Sequence, residues 1–275
     1  MTDPLTLKRL LKKNKTLLLP GVYNGATALL AVKAGFQGVY ISGAGISNAL
    51  AGLPDKGLLP LDIVALQAGL IAEIISIPAL ADADTGFGNV PRTVSLFERS
   101  GISAIQIEDQ RFPKICGHLP GKELVTDREM AKKIRQAVKA RSNPDFMIVA
   151  RTDARGVTGM EDTIRRALIY LDAGADMIFP EALTTKAEFR LFAREVKAPL
   201  LANMTEFGQT PYLDLKEFQK LGYAAAIFPM TAFRVMMKAG EEAYRALKES
   251  GTQKKILKKM QTRKELYQLL DYDAY

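Results

Sequence analysis

The chain of 275 residues contains one cysteine and one histidine, and they stand two positions apart in Lys114-Ile115-Cys116-Gly117-His118. A thiol flanked by Lys114 and His118 is an acid–base candidate. Nearby cations lower a thiol's pKa from about 8.5 towards neutrality, where it can exchange a proton with a substrate. A lone cysteine is otherwise a small buried hydrophobe, but this segment is too polar and too rich in Pro and Gly for a core. Zinc does not fit, since no second Cys or His is present to complete a site.

A second candidate is the pair Asp82 and Asp84. In an extended strand, residues two apart point to the same face. Two close carboxylates in a confined space raise each other's pKa unless a cation lies between them. With oxygen ligands only, that cation is Mg²⁺, with Mn²⁺ as the alternative. Mg²⁺ keeps several waters and needs only one or two direct carboxylates, so Glu108 could act through a bound water.

The elements that must position these residues follow from repeated alternation of short apolar runs with longer amphipathic segments. Strands are predicted at Thr16–Leu19, Gly38–Ile41, Ala79–Asp82, Ala104–Glu108, Phe146–Ala150, Met177–Pro180, Leu200–Asn203 and Ala225–Phe228. Each is nearly continuous in apolar residues, as strands buried on both faces are. Helices are predicted at Ala26–Ala34, Leu61–Ile75, Pro91–Ser100, Asp127–Arg141, Glu161–Ala173, Lys186–Val196 and Leu215–Leu221, several stopping at a Gly (Gly35, Gly101, Gly174, Gly222).

The junctions "KAGFQGVY", "RSGISAIQI", "DAGADMIF" and "KLGYAAAIF" repeat the turn from helix to parallel strand. The expectation is an α/β fold with one (β/α)8 TIM-type barrel over residues 1–275. An open doubly wound sheet would carry a GxGxxG after its first strand, and none follows Leu17–Leu19. The tail, residues 231–275, is more helix than an eighth helix needs and is expected to pack on a neighbouring subunit.

In such a barrel the chemistry sits where the strands end. Polar residues collect there: Tyr40, Ser42 and Gly43 after strand two, Asp82 and Asp84 after three, Glu108-Asp109 after four. Arg151-Thr152-Asp153 follow five, Glu181 six, and Asn203 and Thr205 seven. Any one could be a helix cap or a solvated turn. Six strand ends at once form a mouth.

Composition narrows the classes. With 48% hydrophobic and 25% charged residues the chain is globular, and no apolar run approaches the roughly 20 residues of a membrane span. Met1 to Asn14 has no signal-peptide core, and a single Cys excludes an intrachain disulfide; a cytoplasmic location is expected. The net charge of +8 is concentrated in Lys8–Lys15 and Lys254–Lys259. No aromatic residues interleave there, so a solvated surface is expected and not a nucleic-acid groove.

From "YISGAG" (Tyr40–Gly45), "GLPD" (Gly52–Asp55), "DADTGFG" (Asp82–Gly88), "IEDQ" (Ile107–Gln110), "KICGH", "ARTDA" (Ala150–Ala154), "FPEA" (Phe179–Ala182), "NMTEFG" (Asn203–Gly208), "AFR" (Ala232–Arg234) and "MQTR" (Met260–Arg263), the chain resembles the isocitrate lyase/phosphoenolpyruvate mutase superfamily over about Leu5 to Tyr272, and within it the methylisocitrate-cleaving branch. The resemblance implies splitting of 2-methylisocitrate, a small polycarboxylate, into pyruvate and succinate in the methylcitrate cycle of propionate breakdown. It also implies a homotetramer, a dimer of helix-swapped dimers.

The resemblance further implies roles. Mg²⁺ would be held through Asp82 and Asp84, with Asp55 and Glu108 behind. Arg151, with His118 and Asn203, would stabilise charge on the leaving fragment, and Cys116 would protonate it. Lys114 belongs to the same catalytic set; the base for the substrate hydroxyl is Tyr40 or Asp55. Ser42, Gly43 and Ala44 match the stretch that holds the pyruvate portion by backbone N–H groups. Gly117, Thr205, Arg234 and Arg263 match carboxylate contacts, with Glu181 and Met204 in the same substrate-facing set. Ile115 replaces a usual basic residue, and Ala44 a common Gly. Isocitrate differs from methylisocitrate by one methyl group, worth only about 1–3 kcal/mol in a pocket, and a dimethylmalate stays open as another substrate. Two rivals stay open: a phosphonopyruvate mutase or hydrolase, which would not need Cys116, and a non-catalytic binding barrel, which would show gaps among Asp82, Asp84, Cys116 and Arg151.

Overall fold

The computed structural model describes residues 4–13 and 16–272. Residues 14 and 15, in the basic Lys8–Lys15 run, and 273–275, in the predicted tail, lie outside the described residues, as do 1–3. Eight parallel strands, β1 (Leu17–Val22), β2 (Val39–Ile41), β3 (Ala79–Asp82), β4 (Ala104–Glu108), β5 (Met147–Thr152), β6 (Met177–Pro180), β7 (Leu201–Asn203) and β8 (Ala225–Phe228), run in the order β6-β5-β4-β3-β2-β1-β8-β7. A parallel bridge between Ile178 and Leu200, with Ile178 N–H donating to the Pro199 carbonyl at 3.0 Å, joins β6 to β7 and closes the ring. The predicted (β/α)8 barrel is the observed one.

Around it lie α1 (Pro4–Lys13), α2 (Gly25–Lys33), α3 (Gly43–Ala51), α4 (Leu61–Ile74), α5 (Val90–Arg99), α6 (Asp127–Ala140), α7 (Met160–Asp172), α8 (Lys186–Glu195) and α9 (Leu215–Leu221), followed by α10 (Thr231–Ser250) and α11 (Arg263–Leu269). Local chemistry explains the starts. Thr126 with Glu129 and Asp214 with Glu217 form capping boxes, each satisfying two backbone donors at a helix N-terminus. Two departures from expectation concern the chain around the mouth. β1 runs through Pro20 to Val22 because Gly21 has no Cβ; one built there would lie 2.0 Å from the Pro229 carbonyl oxygen. α3, not predicted, is a full helix capped by Ser42.

The core has two layers. Leu17, Leu19, Tyr40, Leu80, Ala104, Met147, Val149, Met177, Phe179, Leu201 and Ile227 fill the barrel, plugged at its lower end by Leu7 of α1. The larger layer lies between strands and helices and contains Ile105, Ile107, Ile148, Ala150, Ile178 and Ala202. Strand residues alternate between the layers with period two. Extending each inward register by two residues, or by four through Gln106 in β4, brings Asp82, Glu108, Arg151, Glu181 and Asn203 to the interior at one end of the barrel.

α10 behaves differently from the barrel helices: none of its residues is buried, and Val235, Met237 and Tyr244 are 65%, 59% and 77% exposed. It is tied to the barrel at its start, where Phe233 meets Tyr23 edge to face and the Tyr23 hydroxyl donates to Met236 Sδ at 3.1 Å. No helix among the described residues is long and apolar enough to cross a membrane.

Candidate active site

At the strand ends a cavity of about 330 Å³ is lined by Tyr40, Ser42, Ala44, Asp55, Asp82, Cys116, Gly117, His118, Arg151, Phe179, Glu181, Asn203, Thr205 and Arg234, among others. The loop carrying the thiol therefore lies over the same mouth as the aspartates. Gly117 makes this approach possible: a Cβ there would sit 2.4 Å from Arg151 Nη2 and 2.5 Å from Glu181 Cγ, so only glycine lets the backbone reach the guanidinium. The loop is held on its far side by Gln209, whose N–H donates to His118 Nδ1 at 3.0 Å and whose side-chain amide donates to the His118 carbonyl at 2.8 Å.

Arg151 is the centre of the site. Its Nε and Nη2 each lie 3.0 Å from the Asp153 carboxylate, and Nη1 lies 3.4 Å from Glu108 Oε2 and 3.3 Å from Glu181 Oε2. Phe179 sits beneath it with the guanidinium carbon 5.2 Å from the ring centroid. Glu181 also receives Asn203 Nδ2 at 3.1 Å, and its Oε1 lies 3.0 Å from His118 Nε2. Burial would raise the Glu181 pKa, but Arg151, His118 and Asn203 together outweigh it and hold the group at about 2.

On the other side of the mouth, Asp82 Oδ1 accepts from Gln106 Nε2 at 2.9 Å and from the Asp84 backbone N–H at 3.0 Å. The Tyr40 hydroxyl donates to Gln106 Oε1 at 3.0 Å. Gln106 thus joins Tyr40 to Asp82, a role the sequence reading missed. The available signal was a glutamine two residues before Glu108, on the same inward register of an otherwise apolar strand. Burial, then the Tyr40 neighbour Asp82, pushes the phenol's pKa well up, so the hydroxyl is a hydrogen-bond donor at neutral pH.

Several sequence expectations are corrected by the geometry. Asp82 and Asp84 do not share a strand face: β3 ends at Asp82, and Asp84 lies in a turn with φ 46°. The cation beside them is Lys114, buried, bonded to Asp55 and 2.6 Å from Asp84 Oδ1. Burial opposes its charge, but Asp84, Glu108, Asp55 and Asp82 raise its pKa well above the usual lysine value. Lys114 is thus spent on carboxylates and does not activate the thiol. Burial pushes the Cys116 thiol up, assisted by Asp55 and Glu181, against the lowering effects of the His118 backbone N–H and Arg151. The group is a protonated thiol, an acid and not a ready thiolate. Met204 is buried in the outer layer, its Sδ accepting from Leu213 N–H at 3.4 Å, because strand alternation turns it outward between Asn203 and Thr205. Arg263 is exposed at the start of α11 and does not line the cavity.

The remaining expectations meet at the mouth. Ser42 caps α3, its Oγ accepting from Gly45 N–H at 3.1 Å. Gly43 and Ala44 begin that helix, where N–H groups have no carbonyl partner within it and suit an anion. A larger cleft of about 780 Å³ is lined by Asp84 but by none of Cys116, Arg151 or Glu181.

Whether the residues suit a hard cation can be judged from their unmet needs. Among the described residues no three carboxylate, His or Cys side chains close around one point. Yet both Glu108 side-chain oxygens are buried with no hydrogen-bond partner, and burial pushes the Glu108 pKa well up. Burial and Asp84 likewise raise Asp82 to about 6. Carboxylates left in this condition fit an ion that takes one or two of them and completes its shell with water and substrate oxygens.

Residues 7–248 match the phosphoenolpyruvate phosphomutase family. Over 274 residues, 98% of this chain and 88% of the relative, the chain is 54% identical to 2-methylisocitrate lyase of Aeropyrum pernix. A crystal structure of 2,3-dimethylmalate lyase, described as a PEP mutase/isocitrate lyase superfamily member, is similar with a TM-score of 0.94 at 36% identity, covering 100% of this chain and 93% of that one. Phosphonopyruvate hydrolase complexed with oxalate and Mg++ is similar with a TM-score of 0.89 at 30% identity, covering 100% of this chain and 96% of that one.

Proposed function

The chain belongs to the phosphoenolpyruvate mutase/isocitrate lyase superfamily, and from that premise we propose that it is a carbon–carbon lyase that splits 2-methylisocitrate into pyruvate and succinate. One observation carries the reading: a protonated thiol, Cys116, lines the same small pocket as Arg151, Asp82 and the N-terminus of α3. A phosphonate enzyme has no use for that thiol, whereas a lyase must protonate the carbon it releases.

In the proposed reaction the substrate hydroxyl loses its proton, the C2–C3 bond breaks, and C2 becomes the ketone of pyruvate. The bonding pair leaves with C3 as a carbanion conjugated to its carboxylate. Arg151, backed by Phe179 and fixed by Asp153, offers Nη1 to the charge that develops on that carboxylate, with His118 and Asn203 beside it. Cys116 then gives its S–H proton to C3, completing succinate, and recovers a proton from solvent. Asp55 and Tyr40 both line the pocket and are the candidates to take the hydroxyl proton, Asp55 bonded to Lys114 and the Tyr40 hydroxyl donating to Gln106. Ser42, Gly43 and Ala44 would hold the pyruvate carboxylate, and Thr205 and Arg234 the others.

Asp82 and Asp84, with Asp55 and Glu108 behind, would hold Mg²⁺ or Mn²⁺; the similar phosphonopyruvate hydrolase structure contains Mg++. When bound, the ion supplies Lewis-acid polarisation of substrate oxygens. The exposed apolar face of α10 would be covered by a second copy of the chain, in a helix-swapped dimer that pairs into a homotetramer. Arg263, remote from its own mouth, would then belong to that tail assembly. The enzyme is proposed to be one barrel domain over residues 1–275, cytoplasmic, and part of propionate breakdown by the methylcitrate cycle.

The test is a product assay. Purified protein with Mg²⁺ receives methylisocitrate, isocitrate, dimethylmalate or phosphonopyruvate, and pyruvate, glyoxylate and succinate are measured. Pyruvate and succinate from methylisocitrate at far the highest kcat/KM is the expected result. Glyoxylate from isocitrate as the leading product, or phosphonopyruvate turnover that survives Cys116→Ser, overturns the reading.

A further inference from the structure

Asp109 lies outside the pocket, and its side chain turns away from the mouth into the layer between barrel and α7. We propose that Asp109 is a positioning residue that sets the orientation of Arg151 by fixing both ends of the segment Arg151–Asp153; this rests on the lyase reading for its effect on turnover. The contacts are complete on every side. The Asp109 backbone N–H donates to the Arg151 carbonyl at 3.2 Å. Its Oδ1 accepts from the Asp153 backbone N–H at 2.9 Å, and its Oδ2 accepts from the Thr152 hydroxyl at 2.8 Å. One residue therefore holds three consecutive residues at the end of β5, Arg151 through its backbone N–H and Thr152 and Asp153 through its side chain.

The consequence passes through Asp153. With its backbone fixed, the Asp153 carboxylate meets Arg151 Nε and Nη2, each at 3.0 Å, in the flat two-point geometry that defines the plane of a guanidinium. Only Nη1 is then left towards Glu108 and Glu181. Asp109 could not sit beside Asp153 uncompensated, since like charges in a buried site repel. The Tyr170 hydroxyl at 2.8 Å and Arg166 Nη1 at 3.3 Å supply the compensation, and Arg166 is itself held by Asp162 at 2.8 Å and the Val125 carbonyl at 2.9 Å. The hydrogen bonds run from α7 through Asp109 to Asp153 and Arg151. Of these residues only Arg151 is assigned to the substrate, and an orientation error at a transition-state donor is costly even when small.

The experiment uses the full chain. Asp109→Asn keeps the size of the side chain but gives up the second acceptor oxygen. Its kcat on methylisocitrate, per folded molecule and well below its melting temperature, is expected to fall 10- to 100-fold with KM within about threefold of wild type. Asp153→Asn is expected to fall at least as far, and the double variant no further than the worse single, because both act through Arg151. Thr152→Val, which keeps the shape and removes one clamp, is expected to lose about fivefold.

A crystal structure of Asp109→Asn reads the same claim without substrate: Arg151 should no longer meet Asp153 through two nitrogens. That readout decides the positioning claim even if the wild-type protein proves not to cleave methylisocitrate. Arg151 keeping both Asp153 contacts in Asp109→Asn, turnover of that variant within twofold of wild type, or additive losses in the double variant overturns the proposal. A purely structural role would lower the melting temperature and leave kcat and the Arg151 geometry unchanged.

Discussion

Glu108 and Asp109 are adjacent, both have fully buried side chains, and burial raises the pKa of both. Their surroundings are opposite. Glu108 faces the barrel interior with neither oxygen hydrogen-bonded. Asp109, one step further, faces the helix layer and is satisfied by Asp153 N–H, Thr152, Tyr170 and Arg166. Glu108 ends β4 on its inward register, and the next residue, just past the strand, turns to the opposite side. The inner compartment leaves charged groups in want of partners, which is the condition of a site awaiting a ligand. The outer one meets every need, which is the condition of a frame.

If the two compartments differ in this way, substitutions in the mouth should cost turnover and little stability, and those in the frame should cost stability, with turnover lost as well where the residue positions Arg151. The largest effect expected is from Cys116→Ala. Loss of a general acid costs about 10²–10⁴ in rate, so steady-state kcat should fall roughly a thousandfold with the melting temperature nearly unchanged. Retention of a tenth of wild-type kcat would remove the thiol from the mechanism. Next comes Arg166→Leu, which strips a buried partner from Asp109 and Asp162. Breaking a buried pair costs about 3–5 kcal/mol, read as a lower urea midpoint at pH 7. A midpoint equal to wild type would show that the frame does not depend on Arg166.

A third effect is smaller and belongs to the mouth. Burial and Asp84 raise Asp82 to about 6, so a proton competes with a cation for this carboxylate as the pH falls through that value. Mg²⁺ affinity, titrated calorimetrically at pH 7.5, 6.5 and 5.5, should be steady at the top and decline by up to about tenfold per pH unit below 6. Affinity unchanged down to pH 5.5 would exclude Asp82 as a ligand.

The same division explains what could be seen in the sequence. β3, β4, β6 and β8 fall on their predicted bounds because each is a short, mostly apolar run with a sharp change of composition at its ends. α3 was missed because Gly43 and Gly45 occupy the first turn of a nine-residue helix, leaving Ser42 as its main signal. Asp82, Glu108, Arg151 and Cys116 could be recognised as chemistry, but not their environment. The sequence places Lys114 near a thiol; only the fold shows its ammonium turned to Asp55 and Asp84. Met204 shows the limit of carrying a role over by motif, since a match does not say which way a side chain turns.

The smallest effect is the sharpest test of the opening contrast, because it turns on a sign. Burial, against the pull of Arg151 and Lys114, puts the Glu108 pKa well above the usual carboxylate range. The native protein therefore keeps this proton to higher pH than the unfolded chain does. Stability from that difference is present below the unfolded carboxylate pKa and is lost as the pH rises through the folded one. Glu108→Gln does not titrate, so in chelator its unfolding free energy should fall less between pH 5 and 8 than that of wild type. The gap should grow with pH to about 1–2 kcal/mol, the cost of an unsatisfied buried polar group. Excess Mg²⁺ should then reverse the order, because an ion bound only to the native state stabilises the chain that binds it more tightly. Parallel pH dependences in chelator would mean that Glu108 is not raised by its burial, and that the mouth is not held in want of a cation.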